Sequence, residues 1–150
     1  MDETKILSKE GKDLLLRELC ARLPYGVMVK DDMGRVFQLN LGTSDLIDLF
    51  YSKDDVKYAT IKPYLRPISS LTEEEMDRLF DILSIPKDGS TGDWIKINDC
   101  TGIKFFLSSG AWVEDLAEVF AYLNSIHVDY NGMIEKDLAI AVTKENNLYI

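Results

Sequence analysis

Cysteine is scarce in this chain. There are two, Cys20 and Cys100, and neither belongs to a Cys-x-x-Cys pair. That argues against a disulfide framework and against a zinc site, and leaves two free thiols as the expectation. Histidine is rarer still, with His127 alone. No apolar run approaches the roughly 18 residues that a membrane helix needs. Met1-Asp2-Glu3-Thr4-Lys5 opens on acids, without the apolar core of a signal peptide. A cytoplasmic protein with no membrane contact is therefore expected. Bases are the minority charge: 17 Lys and Arg against 26 Asp and Glu give a net charge of −9 and a pI near 4.6. Nonspecific nucleic-acid binding rests on Lys and Arg meeting phosphates, so this balance disfavours it. Gly89-Ser90-Thr91-Gly92 lacks the lysine and the helix entry of a phosphate loop. Internal repeats and low-complexity linkers are also missing.

What is present is an ordinary globular composition, 46% hydrophobic and 29% charged over 150 residues. That length suits one domain, 1–150, with a real core. The charge is uneven. Residues 1–35 carry seven bases and seven acids, and residues 36–150 carry ten bases and nineteen acids. Solubility accounts for such an excess, and so does an acidic face for a basic partner.

The chain turns on Ile61 to Met76. Pro63 and Pro67 fix their own φ and push their predecessors toward extended geometry, which predicts a stiff connector over 61–68. A helix start follows at once. Thr72 is placed to cap it, with Glu75 three residues on as a capping box requires. Leu71 and Met76 have the spacing of a hydrophobic staple, and Glu73 and Glu74 complement the positive end of the helix dipole.

Around this joint the pattern predicts an α+β fold. Ser8 caps a first helix over 9–22, with Leu16, Leu19, Cys20 and Leu23 on its stripe and Leu15 beside them. Lys9, Lys12, Arg17 and Arg22 fall largely on its wet face. Pro24 ends it. Short strands follow at 27–30, 35–41, 46–51 and 56–61, with a short helix competing at 46–51. Their spacing suggests an antiparallel meander or small barrel. A second helix spans 73–83 on a stripe of Met76, Leu79, Phe80 and Leu83. Residues 94–98 and 103–107 flank Asp99-Cys100-Thr101-Gly102 as a hairpin. A third helix spans 111–126, capped by Ser108 or Ser109, on a stripe of Trp112, Leu116, Val119, Leu123 and Ile126. Residues 138–142 and 148–150 are set to pair as a last hairpin.

Few constellations carry chemistry. His127 and Asp129 form a His-x-Asp pair just past a helix end, with Tyr130 beside them. A catalytic dyad needs a nucleophile, and the only route to one is Cys100, brought close by the fold. The alternative is that His127 caps the helix C-terminus, as a cation or donor meeting the last carbonyls. The same stretch imitates a calcium loop, but its first ligand and bidentate glutamate would be His127 and Leu138. Asp31-Asp32 and Asp54-Asp55 sit in predicted turns, where aspartate bonds its own backbone. No metal and no cofactor is expected. The Trp and Phe residues fit core or sheet surface better than base stacking. Tyr64 and Arg66 share one side of the connector and lead into an acidic helix, so they form a candidate contact surface with Glu74, Asp77 and Asp81. Packing of Tyr64 beneath the joint, and solvated helix charge, explain the same residues.

Three segments taken together, Leu19 to Val27, Ile61 to Glu74, and Leu123-Asn124 with His127 to Ile134, resemble a family of small uncharacterised proteins from anaerobic gut bacteria and their bacteriophages. In that pattern the last segment reads His-Phe-Asp-Tyr-Arg-Gly-Leu-Ile. Val128, Asn131 and Met133 depart from it here, and Asp137 stands where the pattern often has glycine. The resemblance covers about a quarter of the chain and implies a phage or mobile-element context without implying an activity. The leading expectation is a non-enzymatic accessory protein that binds a protein partner with a basic surface. The alternatives are a small hydrolase-like enzyme around Cys100, His127 and Asp129, and a nucleic-acid-binding small barrel.

Overall fold

The computed structural model describes residues 8–40, 61–108 and 113–149. The predicted elements at 46–51 and 56–60, and the positions of Leu41, Ser109, Trp112 and Ile150, lie outside the described residues. Among those described there are three α-helices and six strands in two sheets, an α+β architecture.

Helix α1, Lys9–Arg22, starts where Ser8 accepts a hydrogen bond from the Gly11 amide at 3.0 Å. It ends in a 3-10 turn, Leu23–Tyr25, and Gly26 turns the chain at φ +71°. Its buried residues are Leu15, Glu18, Leu19 and Arg22. The stripe is therefore rotated by about one residue from the predicted one, and this overturns two expectations. Cys20 is exposed rather than packed. Arg22, expected on the wet face, is 0% exposed. Glu18 and Arg22 hold stripe positions three and seven residues after Leu15, and they bury together because each neutralises the other.

The larger sheet has the order β2-β1-β3-β6, from β1 (Met28–Asp31), β2 (Val36–Gln38), β3 (Ile61–Leu65) and β6 (Ile140–Ala141). Asp31 closes the β1–β2 turn, accepting from the Met33 and Arg35 amides at 3.0 and 2.8 Å. The stretch expected as a connector is itself strand β3, antiparallel to β1 on one side and parallel to β6 on the other. It is extended, as its prolines require. It becomes a strand because Ile61, Pro63, Tyr64 and Leu65 are all buried. Strand β6 meets β3 only at Tyr64 and Leu65, so Pro63 lies beyond the end of that pairing. The predicted last hairpin does not form: Ile140–Ala141 pairs with β3 instead, and the chain beyond is held by a side chain, Tyr149.

Helix α2, Glu73–Leu83, has the full capping box. Thr72 Oγ1 accepts from the Glu75 amide at 3.1 Å, and Glu75 Oε1 accepts from the Thr72 amide at 2.9 Å. Its last carbonyls are closed by the Ser84 and Ile85 amides, with Ser84 left-handed at φ +55°. Strands β4 (Trp94–Asn98) and β5 (Gly102–Phe106) form a separate two-stranded hairpin, and helix α3 is Val113–Ser125. No helix among the described residues is long and apolar enough to cross a membrane.

Apolar residues gather in two clusters. One lies between α1 and the larger sheet, around Leu15, Leu19, Val27, Val29, Leu65 and Met133. The other lies among α2, α3 and the hairpin, around Ile68, Leu79, Leu83, Val119, Leu123 and Val128. Two segments run through both. Leu65 belongs to the first cluster and Ile68 to the second, while Val128 belongs to the second and Met133 to the first. They touch at a parallel bridge between Arg66 and Val128, where the Arg66 amide donates to the His127 carbonyl at 2.7 Å and the Asp129 amide donates to the Arg66 carbonyl at 2.9 Å.

Candidate functional site

His127, Asp129 and Tyr130 sit at that crossing, and the fold engages each of them. Helix α3 ends in a Schellman turn: the His127 amide donates to Asn124 O and the Val128 amide to Leu123 O, both at 3.1 Å. His127 occupies the left-handed position at φ +62°. It therefore caps the helix through its backbone, and not as the cation or side-chain donor expected. Its ring stacks on Tyr149 at 3.6 Å between centroids and 11° between planes. Burial, then the positive charges of Arg22 and Arg66, push the imidazole pKa down to about 4, so the ring is neutral at pH 7. Among the described residues its buried Nδ1 has no hydrogen-bond partner.

Asp129 is turned away from His127. Its two carboxylate oxygens accept from the Met133 and Ile134 amides at 2.8 and 2.9 Å, which closes the turn that follows. The His-x-Asp pair is thus two capping residues back to back rather than a dyad. Cys100 is exposed in the hairpin turn and makes no hydrogen bond to His127. Tyr130 Oη donates to Asn124 Oδ1 at 2.9 Å, and burial together with the nearby Glu18 charge pushes its pKa up to about 12.

Arg22 and Glu18, unmarked in the sequence, organise this cluster. Arg22 Nη2 donates to Glu18 Oε1 at 3.0 Å and to the Val128 carbonyl at 2.7 Å, and the guanidinium lies 4.8 Å from the Tyr130 ring centroid. Arg22 Nη1 is buried without a partner among the described residues. The other oxygen of Glu18 accepts from Asn131 Nδ2 at 3.0 Å. Tyr149 Oη donates to the Tyr64 carbonyl at 2.7 Å and accepts from the Met28 amide at 2.9 Å, so the C-terminal segment is strapped across β1 and β3. The sequence signal was the i,i+4 Glu18–Arg22 pair on an apolar stripe. Among the described residues no three metal-ligating side chains gather.

The expected contact surface is largely committed to the fold. The Tyr64 side chain is buried, 6% exposed. Arg66 is bound to Glu75 through Nη1 and Nη2 at 2.8 and 2.7 Å, and to Ser70 through Nε at 3.2 Å. Those hydrogen bonds from Arg66 hold the Glu75 carboxyl below its usual range. Asp77 pairs with Lys87. Of the five residues, Glu74 and Asp81 remain exposed.

A different surface is open. The β4–β5 hairpin buries Ile95, Ile97, Ile103 and Phe105 against the second cluster and turns Trp94, Lys96, Asn98, Lys104 and Phe106 outward. Trp94 and Phe106 are 38% and 49% exposed. They are direct cross-strand neighbours and stack with centroids 6.1 Å apart and planes 22° apart. Lys96 Nζ lies 4.7 Å from the Trp94 ring centroid, and Lys104 is directly opposite Lys96.

This hairpin is pinned to the fold at its turn and clasped across its own strand ends at the other. At the turn, Asp99 accepts from the Ser69 amide and hydroxyl at 3.0 and 2.8 Å. Gly102 and Gly132 bring the turn against residues 130–132, leaving no room for a side chain: a Cβ on Gly102 would lie 1.9 Å from the Tyr130 carbonyl oxygen. At the open end, Asp93 accepts from the Ser108 amide and the Thr91 hydroxyl, both at 2.6 Å. The alternation of Trp94 and Lys96 against Ile95 and Ile97 marks this face in the sequence, but not that its aromatics stay uncovered. Comparison with protein-family models, with curated proteins and with solved structures gives no match, so the geometry of these two regions is what bears on function.

Proposed function

We propose that this protein is a non-enzymatic accessory protein of a bacteriophage or mobile element, and that it acts by binding another protein through the outer face of the β4–β5 hairpin. The resemblance described above supplies the context. One observation carries the binding reading: a stacked, exposed Trp94–Phe106 pair on a hairpin that is pinned at its turn and clasped across its open end. Aromatic side chains are the usual anchors of protein contacts because they bury much area for little lost rotamer entropy. A hairpin so pinned and clasped presents them already ordered, which lowers the entropic cost of association. The side chains with catalytic potential are occupied otherwise. Asp129 caps a turn, Tyr130 is tied to Asn124, and His127 is stacked on Tyr149.

The test is capture of partners from the cells that produce the protein, with the full chain and with Trp94→Ala/Phe106→Ala as paired baits. Far-UV circular dichroism and melting temperature should match between the baits, because both side chains lie outside the core. A protein captured by the first bait and lost by the second supports the reading. The same set of proteins on both baits removes this face from it.

A further inference from the structure

The partner's chemistry can be read from what surrounds the aromatic pair. In a chain of net charge −9, the outer face of the hairpin carries Lys96 and Lys104 directly opposite each other. Like charges facing each other across a strand pair destabilise a sheet. Among the described residues neither lysine makes an ion pair. Two cations are therefore held side by side without an acid, next to two exposed aromatic rings.

Three kinds of occupant suit a basic and aromatic face, and two fit poorly. A nucleic acid would stack bases on the rings and place phosphates on the lysines. Trp94, however, already stacks on Phe106 and carries Lys96 over its ring, so its π surface is engaged within the chain. The overall negative charge also opposes a polyanion. A second copy of this chain meeting the same face across a two-fold axis would set lysine against lysine. What remains is a protein segment that supplies apolar side chains and acids together.

We infer that the outer face of the β4–β5 hairpin docks an acidic, apolar protein segment: its apolar side chains cover Trp94 and Phe106, and its Asp or Glu carboxylates meet Lys96 and Lys104. This rests on the binding reading above and adds the partner's chemistry to it. The occupant so described is the opposite of the basic partner that the acidic helix α2 suggests from sequence. The difference arises because the sheet sorts Lys96 and Lys104 onto one small face, while the acids of α2 are spread along the helix and two of them, Glu75 and Asp77, are already paired.

The experiment is selection of a displayed library of random short peptides on the full chain, followed by titration of the enriched peptides. The titrations use the full chain, Lys96→Glu/Lys104→Glu and Trp94→Ala/Phe106→Ala, each checked for an unchanged melting transition. Enriched peptides should place Leu, Phe or Trp beside Asp or Glu. They should bind the lysine variant at least about tenfold more weakly, and lose affinity as salt rises from about 0.05 to about 0.3 M because exposed charge pairs are screened. Peptides that need Trp94 and Phe106 but ignore the lysines and the salt overturn the acidic chemistry and leave the binding reading standing. Peptides that ignore the aromatic pair, or no enrichment at all, overturn both. An oligo-dT strand that displaces the peptides would reassign the face to nucleic acid.

Discussion

Two arginines, each paired with a glutamate, hold this molecule at two different depths. Arg66 and Glu75 sit at the joint between β3 and α2, with side chains 22% and 18% exposed and a bidentate contact supplemented by Ser70. Arg22 and Glu18 sit at the crossing of the two apolar clusters, with side chains 0% and 3% exposed and one guanidinium nitrogen unpartnered among the described residues. The chemistry is the same and the setting is not. At the joint water still screens the charges, so either residue can be lost at modest cost. At the crossing each charge depends on the other, because an unpaired ion in a dry interior is expensive. The joint at Thr72 and Glu75 is the more legible in sequence, and the deeper pair is the one whose loss should cost the fold more.

The largest expected effect breaks the deeper pair. Glu18→Ala leaves the Arg22 guanidinium buried with only the Val128 carbonyl and the Tyr130 ring, and should lower stability by about 3–5 kcal/mol. A denaturant midpoint close to that of the unaltered protein would show that Arg22 swings out to water. Replacing both residues with Met should recover part of that loss, since a buried ion pair exchanged for apolar groups is often tolerated. The same measurement on Arg66→Ala should give about 1–2 kcal/mol, the scale of hydrogen bonds to a charged group near a surface. If the two single variants cost the same, burial is not what separates the sites.

The pH dependence sharpens the contrast, because His127 belongs to the deeper region. Its pKa is about 4 folded against 6.5 for the ordinary side chain, so the unfolded chain binds the proton more readily. The contribution of the neutral ring is complete above about pH 6.5, falls as pH drops toward 4, and is gone below that. With solvent screening of a half-buried ring, the loss should be on the order of 1–2 kcal/mol. Thermal melts between pH 7 and pH 4 check this, and His127→Gln should flatten the part of the curve above pH 5. Glu75, held low by Arg66, adds its own loss at more acid pH.

Two smaller effects belong to the ends of α2. Thr72→Ala removes one half of the capping box and should cost about 1 kcal/mol. Ser84 stands at φ +55° in the left-handed position that closes the helix. Ser84→Gly should stabilise by about 0.5–1 kcal/mol, because glycine adopts that geometry without a Cβ penalty. Equilibrium unfolding in urea resolves both, and a stabilising Thr72→Ala or a destabilising Ser84→Gly would contradict the cap geometry.

Asp137 has the same left-handed geometry at φ +59°. Its amide and that of Leu138 close a turn onto Ile134 and Met133. A backbone requirement of this kind shows in sequence as a glycine, and an aspartate in its place hides it.

Local sequence suffices for the bounds of α1 and α2, the capping box at Thr72 and Glu75, the β4–β5 hairpin, and the extended geometry forced by Pro63 and Pro67. Each of these is set by groups within a few residues of one another, so a short window contains its cause. The rest depends on contacts between segments far apart in the chain. Arg22 is buried because its guanidinium reaches the carbonyl of Val128, 106 residues away. The stretch 61–65 is a strand because β1 and β6 flank it, and β6 runs parallel because the chain returns to the sheet after crossing α3. His127 is neutral because the fold buries its ring against Tyr149 and, to a lesser degree, because Arg22 of α1 and Arg66 just past β3 lie near it. Trp94 and Phe106 stay in water because the hairpin's other face is the one that meets α2 and α3. Alternation along a strand fixes that two faces exist, and packing chooses which of them is covered.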